Sequence, residues 1–189
     1  MHTTAFERDL PAQEVIARSL ASSVARPFWT DDAPPAPHET LTGSRSADLV
    51  MFPELAMCGY PPEDLLFHKG LRRQVSEGLA QLAAGTGDIA VLVGYPEFVD
   101  NHIYNSVAFL AGGRQVANYR KCCLPNYSVF DEERYFTPGS GPTVVEFRGA
   151  KLGLGICEDV WQPEPSARAT AAGAEVVANE IRAKGGQAW

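Results

Sequence analysis

Short apolar runs separated by turn residues are the feature that most constrains the fold of this chain. They have the length and β-branched content of sheet strands, and they lie at 48–52, 89–94, 104–110, 143–147, 152–156 and 175–178. Glycines between apolar runs in "AGGR" (111–114) and "RGAK" (148–151) predict hairpins, since tight turns need positive φ. Part of the predicted sheet is therefore antiparallel.

Two segments between the predicted strands have the pattern of helices. Leucine and valine recur at helical spacing in "LRRQVSEGLAQLAAG" (71–85), and the final glycine predicts the end of that helix. A second helix is predicted over 163–172, where a proline provides a favourable first residue. Strands, hairpins and helices together predict a layered α/β or α+β fold.

The first 46 residues have a different composition. The stretch "WTDDAPPAPHETLTGSRS" (29–46) is rich in proline, acidic and hydroxyl residues and predicts a linker, after one candidate helix over 11–26. We predict no sheet strand in this part. The chain is therefore divided into a linker-like segment, 1–46, and a folded domain, 47–189.

The charge and composition exclude several classes of partner. The chain has 189 residues, of which 45% are hydrophobic, and a formal net charge of −7, so one domain with a sizeable core is expected. A negative surface repels nucleic-acid phosphates and anionic lipids, and we expect neither nucleic acid nor a membrane as partner. We see no apolar run of membrane-spanning length and no secretory signal, which predicts a cytoplasmic protein.

The cysteine pattern favours reactivity over metal binding or cross-linking. The chain has four cysteines, at positions 58, 122, 123 and 157, and no CxxC pair, so neither a metal site nor a disulfide framework is predicted. Cys157 ends the predicted strand 152–156 and is followed by Glu158 and Asp159. These acids resist burial but disfavour a thiolate, so a reactive Cys157 needs a base or cation from elsewhere. The alternative is an ordinary buried cysteine.

Two other stretches offer the missing groups. Glu54 follows an apolar run, and Lys121 leaves a strand that begins near Gln115. Taken alone, each is typical of a solvated strand end. A thiol nucleophile, however, needs a base to take its proton and a cation or donor to hold the oxyanion that forms on a carbonyl. One glutamate, one lysine and one cysteine supply these groups.

Three stretches of sequence together resemble a known family. "FPELAMCGYPPEDLL", "YRKCCLPNYSVFDEERYFTPG" and "LGLGICEDVWQPEP" resemble, in order and spacing, the signatures of the carbon–nitrogen hydrolase (nitrilase) superfamily. They are most similar to its glutamine-amidase branch, the glutaminase domain of glutamine-dependent NAD synthetases. The resemblance covers about residues 47–177 and implies an αββα sandwich, in agreement with the strand and hairpin pattern.

The resemblance also implies roles for individual residues. It implies a catalytic triad of a proton acceptor, a lysine that stabilises the tetrahedral intermediate and a nucleophile, namely Glu54, Lys121 and Cys157. The supporting acid of the family corresponds to Glu132, although the adjacent Glu133 leaves that placement open. Its glutamine-contacting tyrosine corresponds to Tyr127, with Phe130 beside it.

The reaction that the resemblance implies is hydrolysis of an amide through a cysteine thioester. Glutamine would lose its side-chain nitrogen as ammonia and leave as glutamate. No metal or cofactor is implied for this step, because ATP and deamido-NAD would belong to a synthetase domain that this sequence lacks. The implied partners are glutamine or another small amide, a synthetase domain, and a second copy of the chain.

The sequence departs from the family pattern on both sides of the motifs. No strand of the type "IALAQLN" precedes them, and after Asn179 the chain reads "EIRAKGGQAW" in place of a segment of the type "NASPF". We therefore expect a truncated sandwich, incomplete at both ends. Three hypotheses stay open: a glutaminase module, an amidase for another small amide, and an inactive remnant or interaction module.

Overall fold

The computed structural model describes residues 5–7, 47–128 and 130–180. Its strands are β1 (Ala5–Glu7), β2 (Ala47–Met51), β3 (Ala90–Val99), β4 (His102–Ala111), β5 (Arg114–Arg120), β6 (Val144–Phe147), β7 (Ala150–Ile156) and β8 (Val176–Glu180). Its α-helices are α1 (Lys69–Ala84) and α2 (Pro163–Ala171).

The strands form two sheets, each with a parallel pair joined through a helix. The first sheet has the order β1-β2-β3-β4-β5; β2 and β3 are parallel, and β3, β4 and β5 are successively antiparallel. The second sheet has the order β6-β7-β8, in which β7 and β8 are parallel. Helix α1 connects β2 to β3, and α2 connects β7 to β8, because a parallel pair requires a crossover.

Helix α1 follows the predicted apolar period. Leu71, Val75 and Leu82 are buried on the face toward the first sheet. The side chain of His68 accepts a hydrogen bond from Gly70 N at the start of the helix, and Gly85 caps its end. Helix α2 begins at Pro163 and packs against β7 of the second sheet. Both predicted helices are confirmed.

Two buried clusters define the layers of the domain. One lies between α1 and the first sheet and includes Leu71, Val91 and Leu110. The other lies between the sheets, where Phe109 of β4 and Leu154 of β7 are both buried. The resulting order of layers is helix, sheet, sheet, helix. The predicted αββα sandwich is confirmed.

Hairpins join several neighbouring strands. The two predicted turns are confirmed, with positive φ at Gly112 and Gly113 in one and at Gly149 in the other. A third hairpin, between β3 and β4, was not predicted. Its turn contains no glycine and instead places Asp100 at φ 51°, which Asp tolerates better than most residues. Strand β3 continues to Val99, where this hairpin turns, and so extends beyond the predicted end at position 94.

The expectation that no strand precedes residue 47 is wrong. Residues Ala5–Glu7 form β1 and pair antiparallel with β2, since β2 would otherwise present unpaired backbone groups on this side. The other predictions for the first segment, a helix over 11–26 and a linker over 29–46, lie outside the described residues. So does the chain beyond Glu180.

Candidate active site

Each predicted catalytic residue lies just beyond the carboxyl end of a strand. Glu54 follows β2 and Lys121 follows β5, and these strands run in the same direction in the first sheet. Both side chains therefore lie at the same end of that sheet. Cys157 follows β7 of the second sheet. Strand ends are where layered α/β folds place ligands and reactive groups.

Lys121 is buried between two carboxyl groups. Its Nζ lies 2.6 Å from Glu54 Oε1 and 2.9 Å from Glu132 Oε2, and neither the lysine nor the Glu54 side chain has more than 1% exposure. Tyr60 donates a further hydrogen bond of 2.9 Å to Glu132 Oε1. A buried charge is tolerated only when paired and hydrogen-bonded. This arrangement fixes the Lys121 ammonium group in one position.

The two oxygens of Glu54 have different surroundings. Oε1 accepts hydrogen bonds from Lys121 Nζ and, at 2.8 Å, from Asn105 Nδ2. Oε2 is buried and has no hydrogen-bond partner among the described residues. One oxygen thus anchors the carboxylate, and the other is left to accept a proton. This is the division that a general base requires.

Cys157 occupies a strained turn at the end of β7. It begins a 3₁₀ turn, Cys157–Val160. The φ angle of Cys157 is 45°, a value that residues other than glycine rarely adopt. Asn179 Nδ2 donates to its carbonyl at 3.5 Å, and the absence of a side chain on Gly155 makes room for that amide. Such strain clusters at functional sites, where surrounding contacts hold it in place.

Asp159 fastens the cysteine turn to the end of β5. Its carboxylate accepts hydrogen bonds from Cys122 N at 3.1 Å, Cys123 N at 2.8 Å, Ile156 N at 3.1 Å and Tyr119 OH at 3.0 Å. Three of these donors lie within two residues of Lys121, at the end of β5, and Ile156 directly precedes Cys157 at the end of β7. One buried acid therefore holds the lysine segment and the thiol segment together across the two sheets.

The electrostatics keep Lys121 charged. Burial acts to lower the pKa of Lys121, but the facing carboxyls of Glu54 and Glu132 outweigh it, and the pKa is raised. Burial raises the pKa of Glu132 despite the opposing effect of Lys121. A permanently charged ammonium in a buried setting is suited to hold an oxyanion.

The other three cysteines have raised pKa values. Burial raises the pKa of Cys58 to about 12 and that of Cys123 to about 11, where Asp159 contributes as well. Burial also raises the pKa of Cys122. Because the thiolate is the reactive form, the raised pKa values disfavour these three side chains as nucleophiles near neutral pH.

Tyr127 and Phe130 lie at the exposed side of the site. Their rings meet edge to face with centroids 5.5 Å apart. Tyr127 is 53% exposed, and its hydroxyl donates to Glu158 Oε2 at 3.0 Å. The hydrogen bond with Glu158 raises the pKa of Tyr127. An aromatic pair thus lies beside Glu158, the residue that follows Cys157.

The structure distinguishes the two neighbouring acids that the sequence left open. Glu132 is buried against Lys121, whereas Glu133 is exposed and accepts a hydrogen bond from Asn126. Sequence reasoning missed the roles of Asn105 and Asp159. Asp159 had a signal, an acid two residues after the thiol. Asn105 had none, because it lies inside a strand.

Two further properties concern the described part of the chain as a whole. Within residues 5–7, 47–128 and 130–180, no group of three or more His, Cys, Asp or Glu side chains is placed to hold a metal ion. Among the same residues, no helix has the length and apolar character to cross a membrane.

Two sheets packed face to face between helices, with a carboxylate, an ammonium and a thiol group beyond the ends of their strands, define a class of layered α/β proteins.

A family model, carbon-nitrogen hydrolase, matches residues 13–189, and the chain belongs to this family. A glutamine-dependent NAD(+) synthetase of Xanthomonas campestris is 48% identical over 133 residues, 69% of this chain and 24% of the relative. A protein of the same name from Aquifex aeolicus is 40% identical over 139 residues. The chain therefore spans about a quarter of the length of these relatives.

Solved structures agree with the family assignment. A glutamine-dependent NAD+ synthetase of Acinetobacter baumannii has a TM-score of 0.73 at 29% identity, covering 97% of this chain and 33% of that one. An amidase from Nesterenkonia has a TM-score of 0.67 at 22% identity and is covered to 65%. The second comparison bears on the fold alone.

Proposed function

We propose that the chain is a glutamine amidohydrolase module that releases ammonia through a cysteine thioester. The observation that carries the proposal is the buried Glu54–Lys121–Glu132 chain, which Asp159 fastens to the Cys157 turn. Together these segments supply a base and a fixed cation at the end of the first sheet and a thiol at the end of the second. The curated relatives are glutamine-dependent NAD(+) synthetases, which favours glutamine as the amide.

In the proposed first step, Glu54 accepts the thiol proton of Cys157 while the sulfur attacks the amide carbon. The carbonyl oxygen becomes an oxyanion held by the Lys121 ammonium. The carbon–nitrogen bond then breaks, and Glu54 returns the proton to the nitrogen, which leaves as ammonia. The product left on the enzyme is a thioester.

In the second step, Glu54 takes a proton from water as the water oxygen attacks the thioester carbon. The carbon–sulfur bond breaks, the thiol regains its proton, and glutamate leaves. Tyr127 and Phe130 lie beside Glu158, the residue after Cys157, and these three residues are proposed to contact the amino-acid end of glutamine. The proposed reaction requires no cofactor. The relatives are named glutamine-dependent NAD(+) synthetases, and we propose that the released ammonia supplies nitrogen to a synthetase of this kind.

The test is ammonia release from glutamine by the purified chain and by Cys157→Ala. We expect release by the native chain and its loss in the variant, with at least part retained in the matched control Cys58→Ala. Asparagine and acetamide tested in parallel separate a glutaminase from an amidase for another small amide. A folded native chain that releases no ammonia from any of these amides would contradict the proposal.

A further inference from the structure

Glu180 is a buried acid that the proposed mechanism does not use. It is the last residue of β8 and pairs in register with Ile156 of β7. Its exposure is 2%, and neither carboxyl oxygen has a hydrogen-bond partner among the described residues. A buried carboxyl group without partners is rare, because it forfeits its hydrogen bonds to water without replacement.

The carboxyl group of Glu180 reaches from the second sheet into the first. A methyl group built on Gly94 of β3 would lie against Leu55 N, 2.7 Å from Glu180 Oε2 and 2.9 Å from Glu54 Cα. The Glu180 side chain and the backbone of Glu54 therefore both pack against Gly94. Gly94 is the residue whose lack of a side chain leaves space for the acid beside the proposed base.

The atoms without partners in this region are all acceptors. Around the base they are Glu54 Oε2, Asn105 Oδ1 and both oxygens of Glu180. Lys121, the nearest cation to the base, already pairs with two carboxyl groups. A further negative charge here would be buried without a counterion, which is strongly unfavourable. A proton on Glu180 removes that charge and makes this carboxyl group a hydrogen-bond donor.

We propose that Glu180 is a positioning residue for Glu54: it keeps its proton in the folded chain, fills the space over Gly94 as a neutral acid, and sets the alkaline limit of the site. Loss of the proton would place a second carboxylate behind the base and force the sheets apart at this point. The inference deepens the proposed function, in that it takes Glu54 as the base.

Among the described residues, Glu54 is the titratable group that acts on Glu180. The turn Cys157–Val160, which carries Cys157, Glu158 and Asp159, also packs against β8. Burial raises the pKa of Glu180 well above its ordinary value, and Glu54 raises it further. From β3 the acid meets Gly94, and from β7 its register partner is Ile156; neither side chain titrates. Lys121 and Glu132 follow beyond Glu54 and are bonded to one another.

The sign of the pH dependence follows from the raised pKa. An unfolded chain releases the Glu180 proton near pH 4.3, about the ordinary value for glutamate, whereas the folded chain keeps it to higher pH. Between the pKa of Glu180 in the unfolded chain and its pKa in the folded chain, the unfolding equilibrium constant rises about tenfold per pH unit. The stabilising effect of the proton is therefore complete in acid and is lost as pH rises through the folded pKa.

The test is urea unfolding of the native chain and of Glu180→Gln from pH 4 to pH 9. Glutamine has nearly the same shape, cannot ionise and keeps a donor. We expect the ratio of the two unfolding constants to grow about tenfold per pH unit above about pH 4.3, with Glu180→Gln the more stable chain. Parallel curves, or a variant that is less stable throughout, would overturn the inference.

Glu97→Gln is the matched control of opposite sign. Burial acts to raise the pKa of Glu97, but bonds from Arg120, Ser106 and Asn118 outweigh it and lower the pKa. Its stabilising effect is present above the ordinary pKa and is lost in acid. Glu97→Gln should therefore be less stable than the native chain at neutral pH, and the difference should shrink as pH falls.

Two readouts separate positioning from a merely structural role. The infrared spectrum of the native chain minus that of Glu180→Gln should contain a protonated carboxyl band at neutral pH. The alkylation rate of Cys157 should fall at alkaline pH in the native chain at a point where Glu180→Gln holds its rate. No protonated band, or identical alkylation profiles, would refute the role. None of these measurements uses glutamine, so they stand apart from the test of amide hydrolysis.

Discussion

At the scale of single residues, the site depends on one lysine that balances two buried acids. Lys121 was predicted from its position after a strand, and the resemblance implied its role. Its depth could not be predicted, because a lysine after an arginine is typical of a surface. Burial results from Glu54 and Glu132, which lie 67 and 11 positions away along the chain and meet it only in the folded protein.

Replacing Lys121 with methionine tests this balance. The variant keeps most of the side-chain volume but leaves two buried carboxyl groups facing each other without a cation. We expect a loss of about 3–5 kcal/mol in the free energy of unfolding, the cost of removing one partner of a buried ion pair. Urea unfolding measures it.

Lys69→Met is the matched control, because Lys69 is an exposed lysine at the start of α1. A change within about 0.5 kcal/mol is expected there. Equal effects at Lys121 and Lys69 would show that the buried pairing contributes little to the fold.

At the scale of elements, the sequence predicted what repeats locally and missed what depends on contact between strands. Helix α1 was predicted because its apolar residues recur with the helical period, and the two glycine hairpins because glycine is the residue that tight turns favour. The β3–β4 hairpin was missed, because Asp100 carries a weaker turn signal. The link from Asp159 to β5 was missed, because no local pattern reports a hydrogen bond between sheets.

Gly94 is a test of strand packing next to the site. In Gly94→Ala the added methyl group would meet the backbone of Leu55 and Glu54, which cannot yield as a flexible side chain would. We expect a loss of about 1–3 kcal/mol, typical of overpacking, together with slower alkylation of Cys157. Urea unfolding and timed labelling measure the two effects.

Gly141→Ala provides the comparison for this glycine. Its added methyl group would lie 3.6 Å from Arg168 Nη2, an ordinary contact. Its stability should stay within about 0.5 kcal/mol of the native value. Were both alanine variants equally stable, Gly94 would not be needed for close packing.

At the scale of the whole molecule, the space between the sheets holds the two halves of the site in register. Phe109 of β4 is 2% exposed and meets Phe147 of β6 edge to face, with centroids 5.6 Å apart. The strand pattern predicted a layered fold, and the family resemblance implied the sandwich itself. The pairing of these two rings was not, since strand order and facing residues are set only when the sheets pack.

Phe109→Ala should loosen the sheets and impair the site together. Loss of a buried phenylalanine costs about 3–5 kcal/mol, and Cys157 alkylation should slow because the thiol and the base belong to different sheets. Val116→Ala on β5, where the side chain is 45% exposed, should change neither quantity appreciably. Normal labelling in a strongly destabilised Phe109→Ala would show that the site does not depend on this interface.

The division of the site between the sheets has a consequence for a chain still emerging from the ribosome. Glu54 and Lys121 are synthesised well before Cys157, and the thiol meets its partners only after the second sheet has docked on the first. A nascent or partly unfolded chain would therefore carry the thiol without the base and the cation that the proposed hydrolysis requires. Amide hydrolysis, in contrast to simple thiol chemistry, would begin only in a molecule whose two sheets have docked.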